Sequence, residues 1–352
     1  MKRETGHMHA GSRRRIRADA QHRSMRRKLL LALGAAAFAS PLTPHAQSQT
    51  KVWRIGYLDL GSRQSMLDAG RYAALMQGLR EQGYVENKNF ILDARFADGN
   101  AARLDAYAKE FVQQKMDLIL VFGTAAGQAA QRATNTIPII EIATADPVRD
   151  GFAATLARPG GNVTGMSTSA ADTVQKLPEL LSIAIPGLKR IAVIFNPTTS
   201  SNPQMLQQVQ VAAKQTGKQV IPVGVRTPEE IDRGFATMAH ERVDGIIILS
   251  NPFLFQQRTQ IAGLAIKHKL PSIHANDGYA EVGGLMSYGS NRTDNLLRAG
   301  VFVDKILKGA KPGDIPFEQP TRYYFVINRK TANALGIKIT GELLTRADKV
   351  IE

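Results

Sequence analysis

The sequence predicts an α/β chain of two lobes joined by a hinge. Three observations carry that expectation. From residue 52 onward, short β-rich runs alternate with segments of helical period, the cadence of βαβ units and a parallel sheet. A Gly/Pro-rich break, Arg158-Pro159-Gly160-Gly161-Asn162, interrupts the cadence before it restarts. The length of 352 residues, 43% of them hydrophobic, suits two cores of ordinary size better than one.

Taken in order, Val52–Leu58 reads as the first strand. Ala69, Tyr72, Ala73, Leu75, Met76 and Leu79 then recur at helical spacing, with Gly83 where a helix ends. A strand over Phe90–Phe96, a helix over Ala101–Gln114 and an apolar run, Asp117–Phe122, follow; the last suits a strand buried on both faces. Gly123-Thr124 turns into a helix, Ala125–Ala133, and Ile137–Ile142 and Val163–Ser167 are strands on either side of the break. Beyond it, strands are predicted at Arg190–Phe195, Gln219–Val225, Val243–Leu249, Ser272–His274, Leu285–Tyr288 and Tyr323–Ile327. Helices are predicted at Thr173–Ile185, Pro203–Thr216, Pro228–Ala239, Phe253–His268 and Arg292–Leu307, with terminal helical turns after the last strand.

In open parallel sheets a ligand sits outside the carboxyl ends of the strands. The loops there hold Gly61 and Ser62, then Gly123, Thr124 and Ala125, then Asp146; in the second half they hold Asn196, Asn251, Asn276 and Asp277. These ten residues are the candidate ligand contacts. They bring small hydroxyl, amide and carboxylate groups, with hardly any His, Arg or Lys. Gly123-Thr124 leads into a helix N-terminus, whose free N–H groups suit a ligand carboxylate; Thr124 either adds a donor or only caps its helix. Asp146 and Asp277 either accept from a ligand ammonium or shape turns beside Pro147 and Gly278. Asn196 and Asn251 precede prolines, and turn initiation also accounts for both.

Charge and composition exclude several classes. The net charge of +15 is concentrated at the start: residues 1–46 hold ten Lys/Arg and two acids, leaving 35 basic against 28 acidic residues in the remainder. No basic stripe remains to track a phosphate backbone, so no nucleic-acid partner is expected. With no cysteine, disulfides, thiolate metal sites and cysteine nucleophiles are impossible. Only His240, His268 and His274 lie beyond the leader, which argues against a histidine metal centre. Met25-Arg26-Arg27-Lys28, an apolar run Leu29–Ala39 and the small residues near Ala39 and Ala46 form a secretory signal, by the general or the twin-arginine route, which places the protein in the periplasm. Residues 1–24 either form a basic extension or reflect a start assigned upstream of Met25.

Enzyme signatures fail. No Gly-x-Ser-x-Gly elbow occurs, no glycine fingerprint follows the first strand, and Gly160-x4-Gly165 meets Met166 where a P-loop needs lysine. Neither catalytic residues nor a cofactor are expected.

Several strings resemble a known family. Gly78-Leu79-Arg80-Glu81-Gln82-Gly83-Tyr84, Asp146-Pro147-Val148, Arg158-Pro159-Gly160-Gly161-Asn162-Val163-Thr164-Gly165 and Ile306-Leu307-Lys308-Gly309-Ala310-Lys311-Pro312 look like those of the TrpX-type substrate-binding proteins of ABC transporters. The resemblance covers nearly all of the chain after the leader. It implies a type I periplasmic-binding fold: two Rossmann-like lobes, three hinge crossings, and a cleft that closes on its ligand. Lobe boundaries follow as 47–164 with 290–320, and 165–289 with 321–352, after a leader of 1–46. A permease and its ATPase are the implied partners of a monomer that captures a small polar solute, an amino acid among the options. A receptor domain feeding a signalling partner, or an α/β enzyme, are the alternatives.

Overall fold

The structure, a computed structural model, describes residues 51–199 and 201–352. The signal sequence and basic extension expected over 1–46 lie outside the described residues. Two sheets organise the chain. The first consists of β1 (Trp53–Asp59), β2 (Phe90–Phe96), β3 (Leu118–Phe122), β4 (Ile139–Thr144) and β5 (Val163–Ser167), all parallel in the order β2-β1-β3-β4-β5. Between them run α1 (Arg63–Asp68), α2 (Arg71–Glu81), α3 (Ala101–Gln113) and α4 (Thr124–Ala133). Every residue of β3 is buried, because helices cover both faces of the sheet. Its period-two alternation sorts the core: Leu118, Leu120 and Phe122 pack on one side, Ile119 and Val121 on the other.

The second half begins with α5 (Ala170–Val174), α6 (Leu177–Ala184), β6 (Arg190–Phe195), α7 (Asn202–Gln215), β7 (Gln219–Gly224) and α8 (Pro228–His240). It continues through β8 (Gly245–Ile248), α9 (Pro252–Gln256), α10 (Arg258–Lys267), β9 (Ser272–His274), β10 (Met286–Gly289) and α11 (Arg292–Leu307). The close is β11 (Tyr324–Asn328), α12 (Arg329–Ala334), α13 (Gly341–Arg346) and β12 (Lys349–Ile351). The second sheet runs β12-β11-β10-β9-β8-β6-β7, parallel except where β10 meets β11. Here too alternate residues feed two cores, Ile191 and Val193 on one face, Ala192 and Ile194 on the other.

The chain passes between the sheets three times: after β5, between β10 and α11, and between Glu318 and β11. At the first and third passages Ser167 donates its N–H to the Glu318 carbonyl and Glu318 donates to Gly165, so the two strands run side by side. β5 stays in the first sheet through Ser167, three residues past the first-lobe end at 164 expected from sequence. Helix α11 follows the second passage yet packs on α2 of the first lobe. Gly78 and Gly300 make that crossing possible. A Cβ on Gly78 would lie 2.0 Å from the Leu297 carbonyl oxygen, and one on Gly300 would lie 2.1 Å from that of Gly78.

Three local expectations are corrected. The single helix over Thr173–Ile185 is two, α5 and α6, because Pro178 has no N–H to offer the carbonyl one turn back. Phe253–His268 is likewise interrupted at Gln257. After the last helical turns the chain adds β12, three residues paired parallel to β11. No described helix is long and apolar enough to cross a membrane.

Candidate functional site

The carboxyl ends of β1, β3 and β4 face those of β6 and β8, and the loops leaving them enclose a cavity of about 90 Å³. From the first lobe come Asp59, Gly61, Gly123, Thr124 and Ala125; from the second, Thr199, Ser250, Asn251 and the ring of Phe255. The lobes touch across it: Arg149 bonds the Gln204 side chain, and Arg71 lies 5.6 Å from the Phe255 ring centre. The cleft is in a closed arrangement.

Gly123 takes φ +90°, which only glycine adopts without strain, so that the chain can leave a buried strand and start α4 at once. Its N–H is bound at 2.9 Å by Oε1 of Glu141, which also accepts from the Ala143 N–H at 2.9 Å. The next N–H groups, of Thr124 and Ala125, precede the first intrahelical bond and belong to residues lining the cavity. Thr124 Oγ1 donates to Asp150 Oδ2 at 2.8 Å, and the Thr144 hydroxyl donates to the same oxygen at 2.7 Å. The Thr124 hydroxyl hydrogen is therefore engaged by Asp150, which leaves the hydroxyl oxygen as an acceptor.

Glu141 is fully buried, and burial pushes its carboxyl up to about 8, against the pull of the Ala143 and Gly123 N–H groups. At neutral pH it holds a proton. Its second oxygen, Oε2, has no hydrogen-bond partner. Asp59, also buried, accepts from the Gly61 N–H at 2.7 Å and the Tyr57 hydroxyl at 3.2 Å, with the Arg71 guanidinium 3.5 Å away.

The structure brings five of the ten sequence candidates to the cavity: Gly61, Gly123, Thr124, Ala125 and Asn251. Asn251 has two tasks, capping α9 through the Leu254 N–H and donating to Thr199 Oγ1. Ser62 is off the cavity and caps α1. Asp146 accepts the N–H groups of Val148 and Arg149, and Asn196 accepts from the Thr198 N–H and hydroxyl; both are turn formers. Asn276 accepts from the Ser250 hydroxyl behind the lining. Asp277 is paired with Arg292 at 3.1 Å and lines an adjoining, larger cavity.

Sequence reasoning missed Arg71, Arg292, Glu141 and Asp150. The loops after the strands first scanned are poor in cations; Arg71 arrives from the first turn of α2, and Arg292 from the first turn of α11, just after β10. Burial of a charged residue was the signal, and burial is not written in the local sequence. His274 is buried, with its pKa pushed down to about 3 by burial and by the nearby Arg292 and Arg258. It accepts the Asn276 N–H on Nδ1, a structural role. Among the described residues no cluster of His, Asp or Glu is placed to hold a metal ion.

Comparison with known proteins agrees with this geometry. Residues 63–351 match the family described as ABC transporter substrate binding protein. The tyrosine-binding protein of Clostridioides difficile (strain R20291) is 28% identical over 263 residues, 75% of each chain. A Streptococcus ABC domain solved in complex with L-Trp superposes with a TM-score of 0.78 at 28% identity, covering 86% of this chain and 100% of that one. A ligand-free, open substrate binding protein of Clostridium difficile reaches 0.64 at 27% identity, covering 85% of this chain and 99% of that one. Two α/β lobes, a closed polar cleft and a family match over most of the sequence lead to one conclusion: the chain belongs to the ABC transporter substrate-binding proteins, which capture a small ligand between their lobes for an importer.

Proposed function

We propose that the protein captures an amino acid, or a close carboxylate-bearing analogue, with its carboxylate on the N–H groups of Thr124 and Ala125. The observation that carries this is the start of α4. Two N–H groups at a helix N-terminus line the closed cleft, held in place by Gly123 on Glu141 and by Thr124 on Asp150. Gly61, Thr199, Ser250 and Asn251 supply the surrounding polar contacts. Relatives named for tyrosine and solved with L-Trp support an amino acid.

Function on this reading is a cycle of binding and release with no chemical step. The ligand favours the closed arrangement because only there do both lobes touch it. The closed form then docks, as a monomer in the periplasm, on a permease driven by an ATPase. Its lobes divide at the three passages between sheets. The test is a calorimetric and thermal-shift screen of the purified protein against the L-amino acids. Binding of one or more at micromolar concentration, lost several-fold or more in Thr124→Ala, is the expected result. A protein that binds none of them overturns this assignment of the site, and equal binding in Thr124→Ala removes the Thr124–Asp150 bond from the support of its N–H groups.

A further inference from the structure

Beside the closed cleft lies a second cavity of about 590 Å³, walled by both lobes and sharing Arg71, Phe255 and Arg292 with the first. Three arginines from three helices converge there on one aromatic ring. The guanidinium carbons of Arg292, Arg258 and Arg71 lie 4.1, 4.3 and 5.6 Å from the centre of the Phe255 ring. Arg71 and Arg292 are buried, with side chains 5% and 8% exposed. Two acids meet this charge at close range: Asp277 pairs with Arg292 at 3.1 Å, and Asp59 stands 3.5 Å from Arg71, while Asp68 and Glu281 act on Arg258 from farther off.

Most of the other charges around the cavity are paired with one another. Arg322 pairs with Asp348 and Lys349 with Glu281, while Asp68, exposed on α1, holds the Gln64 amide. The inner wall therefore keeps one arginine, Arg258, with no carboxylate at ion-pair distance among the described residues. It also keeps unused donors: Arg71 Nε, Arg258 Nε and Arg292 Nη2 are buried and have no hydrogen-bond partner. An unsatisfied buried donor costs about 1–3 kcal/mol, more when charged. Burial accordingly pushes the Arg258 and Arg292 pKa values down, and each is lowered further by Arg71. Guanidinium groups nevertheless stay charged. Three clustered guanidinium groups lining a cavity, one of them without a carboxylate partner, are the complement of a compact oxyanion.

We infer that this arginine cage is an anion subsite, distinct from the α4 N-terminus, that takes a carboxylate or phosphate group. It deepens the reading above, on which it rests for the first carboxylate: either the captured solute carries a second acidic group that reaches the cage, or a separate small anion enters with a neutral amino acid. The aromatic ring holds the cations in a stack, so an arriving anion meets them already assembled.

Calorimetry on the full chain separates the cases, with inorganic phosphate alone, succinate, L-glutamate and L-tyrosine as probes, for the wild type, Arg258→Gln and Arg292→Gln. Arg258 is only half-buried, so its variant is informative even if loss of Arg292 disturbs the fold; circular dichroism checks both. The inference predicts that an acidic probe binds the wild type and loses at least tenfold in affinity in Arg258→Gln, while any L-tyrosine binding changes less than twofold. Phosphate binding alone identifies a separate anion. Binding of glutamate or succinate but not phosphate identifies a second acidic group of the solute. If no acidic probe binds, or if one binds the wild type and Arg258→Gln equally, the cage is not an anion site. L-Tyrosine binding in that event leaves the amino-acid reading standing, whereas arginine-dependent phosphate binding without any amino-acid binding sinks that reading and keeps this one.

Discussion

Glu141 offers a test of the support beneath the ligand loop. The folded state keeps its carboxyl protonated up to about pH 8, whereas the unfolded chain releases that proton near the ordinary value of 4.5. Between those values the folded state holds more protons than the unfolded one. The contribution of Glu141 to stability is thus fully present below pH 4.5 and is lost as pH rises to 8. Glu141→Gln removes the titration and keeps the geometry. The amide oxygen still accepts from Gly123 and Ala143, and the amide nitrogen takes the place of Oε2, which already lacks a partner. At one pKa unit per 1.36 kcal/mol, the variant should gain about 3 kcal/mol relative to the wild type between pH 5 and 7.5. The assay is urea unfolding of both proteins across that range, read as the difference in unfolding free energy. A difference independent of pH, or one that moves against the variant as pH rises, would refute a protonated Glu141.

Other perturbations follow from the same geometry. Thr124→Ala removes one of the two hydroxyls that hold the buried Asp150 carboxylate, and chemical denaturation should show a loss of about 1.5–3 kcal/mol together with the weaker ligand binding. Gly300→Ala drives a Cβ to 2.1 Å from the Gly78 carbonyl oxygen and forces α11 off α2; a loss of about 1–3 kcal/mol is expected, with the melting temperature as readout. His274, its pKa depressed, stabilises the fold above pH 6.5, and that contribution is lost as pH falls toward 3. His274→Asn keeps an acceptor for the Asn276 N–H without titrating, so the stability gap between wild type and variant should shrink by about 2 kcal/mol from pH 7 to pH 5 in urea unfolding.

The sequence by itself determined the layers and the direction in which the site faces. Patterns such as LILVF in β3 or RIAVIF in β6 are local: a strand buried on both faces must be apolar throughout, and the residues that end it must turn. Gly123, Gly61 and Asn251, which line the cavity, were legible for the same reason, since each lies where its own strand stops. Ser62, Asp146 and Asn196 carried the same local signal and proved to cap or turn, because a free helix end and a ligand ask for the same side-chain groups. Only the tertiary structure decided the rest. Arg71 and Arg292 meet on Phe255 across 221 residues of chain, once α11 has crossed back to lie on α2. Glu141 differs from any other strand glutamate only by being sealed beneath Gly123, and desolvation rather than sequence sets its proton. Charge and burial depend on what the chain brings together in space, and a linear pattern records only what lies within a turn or a strand.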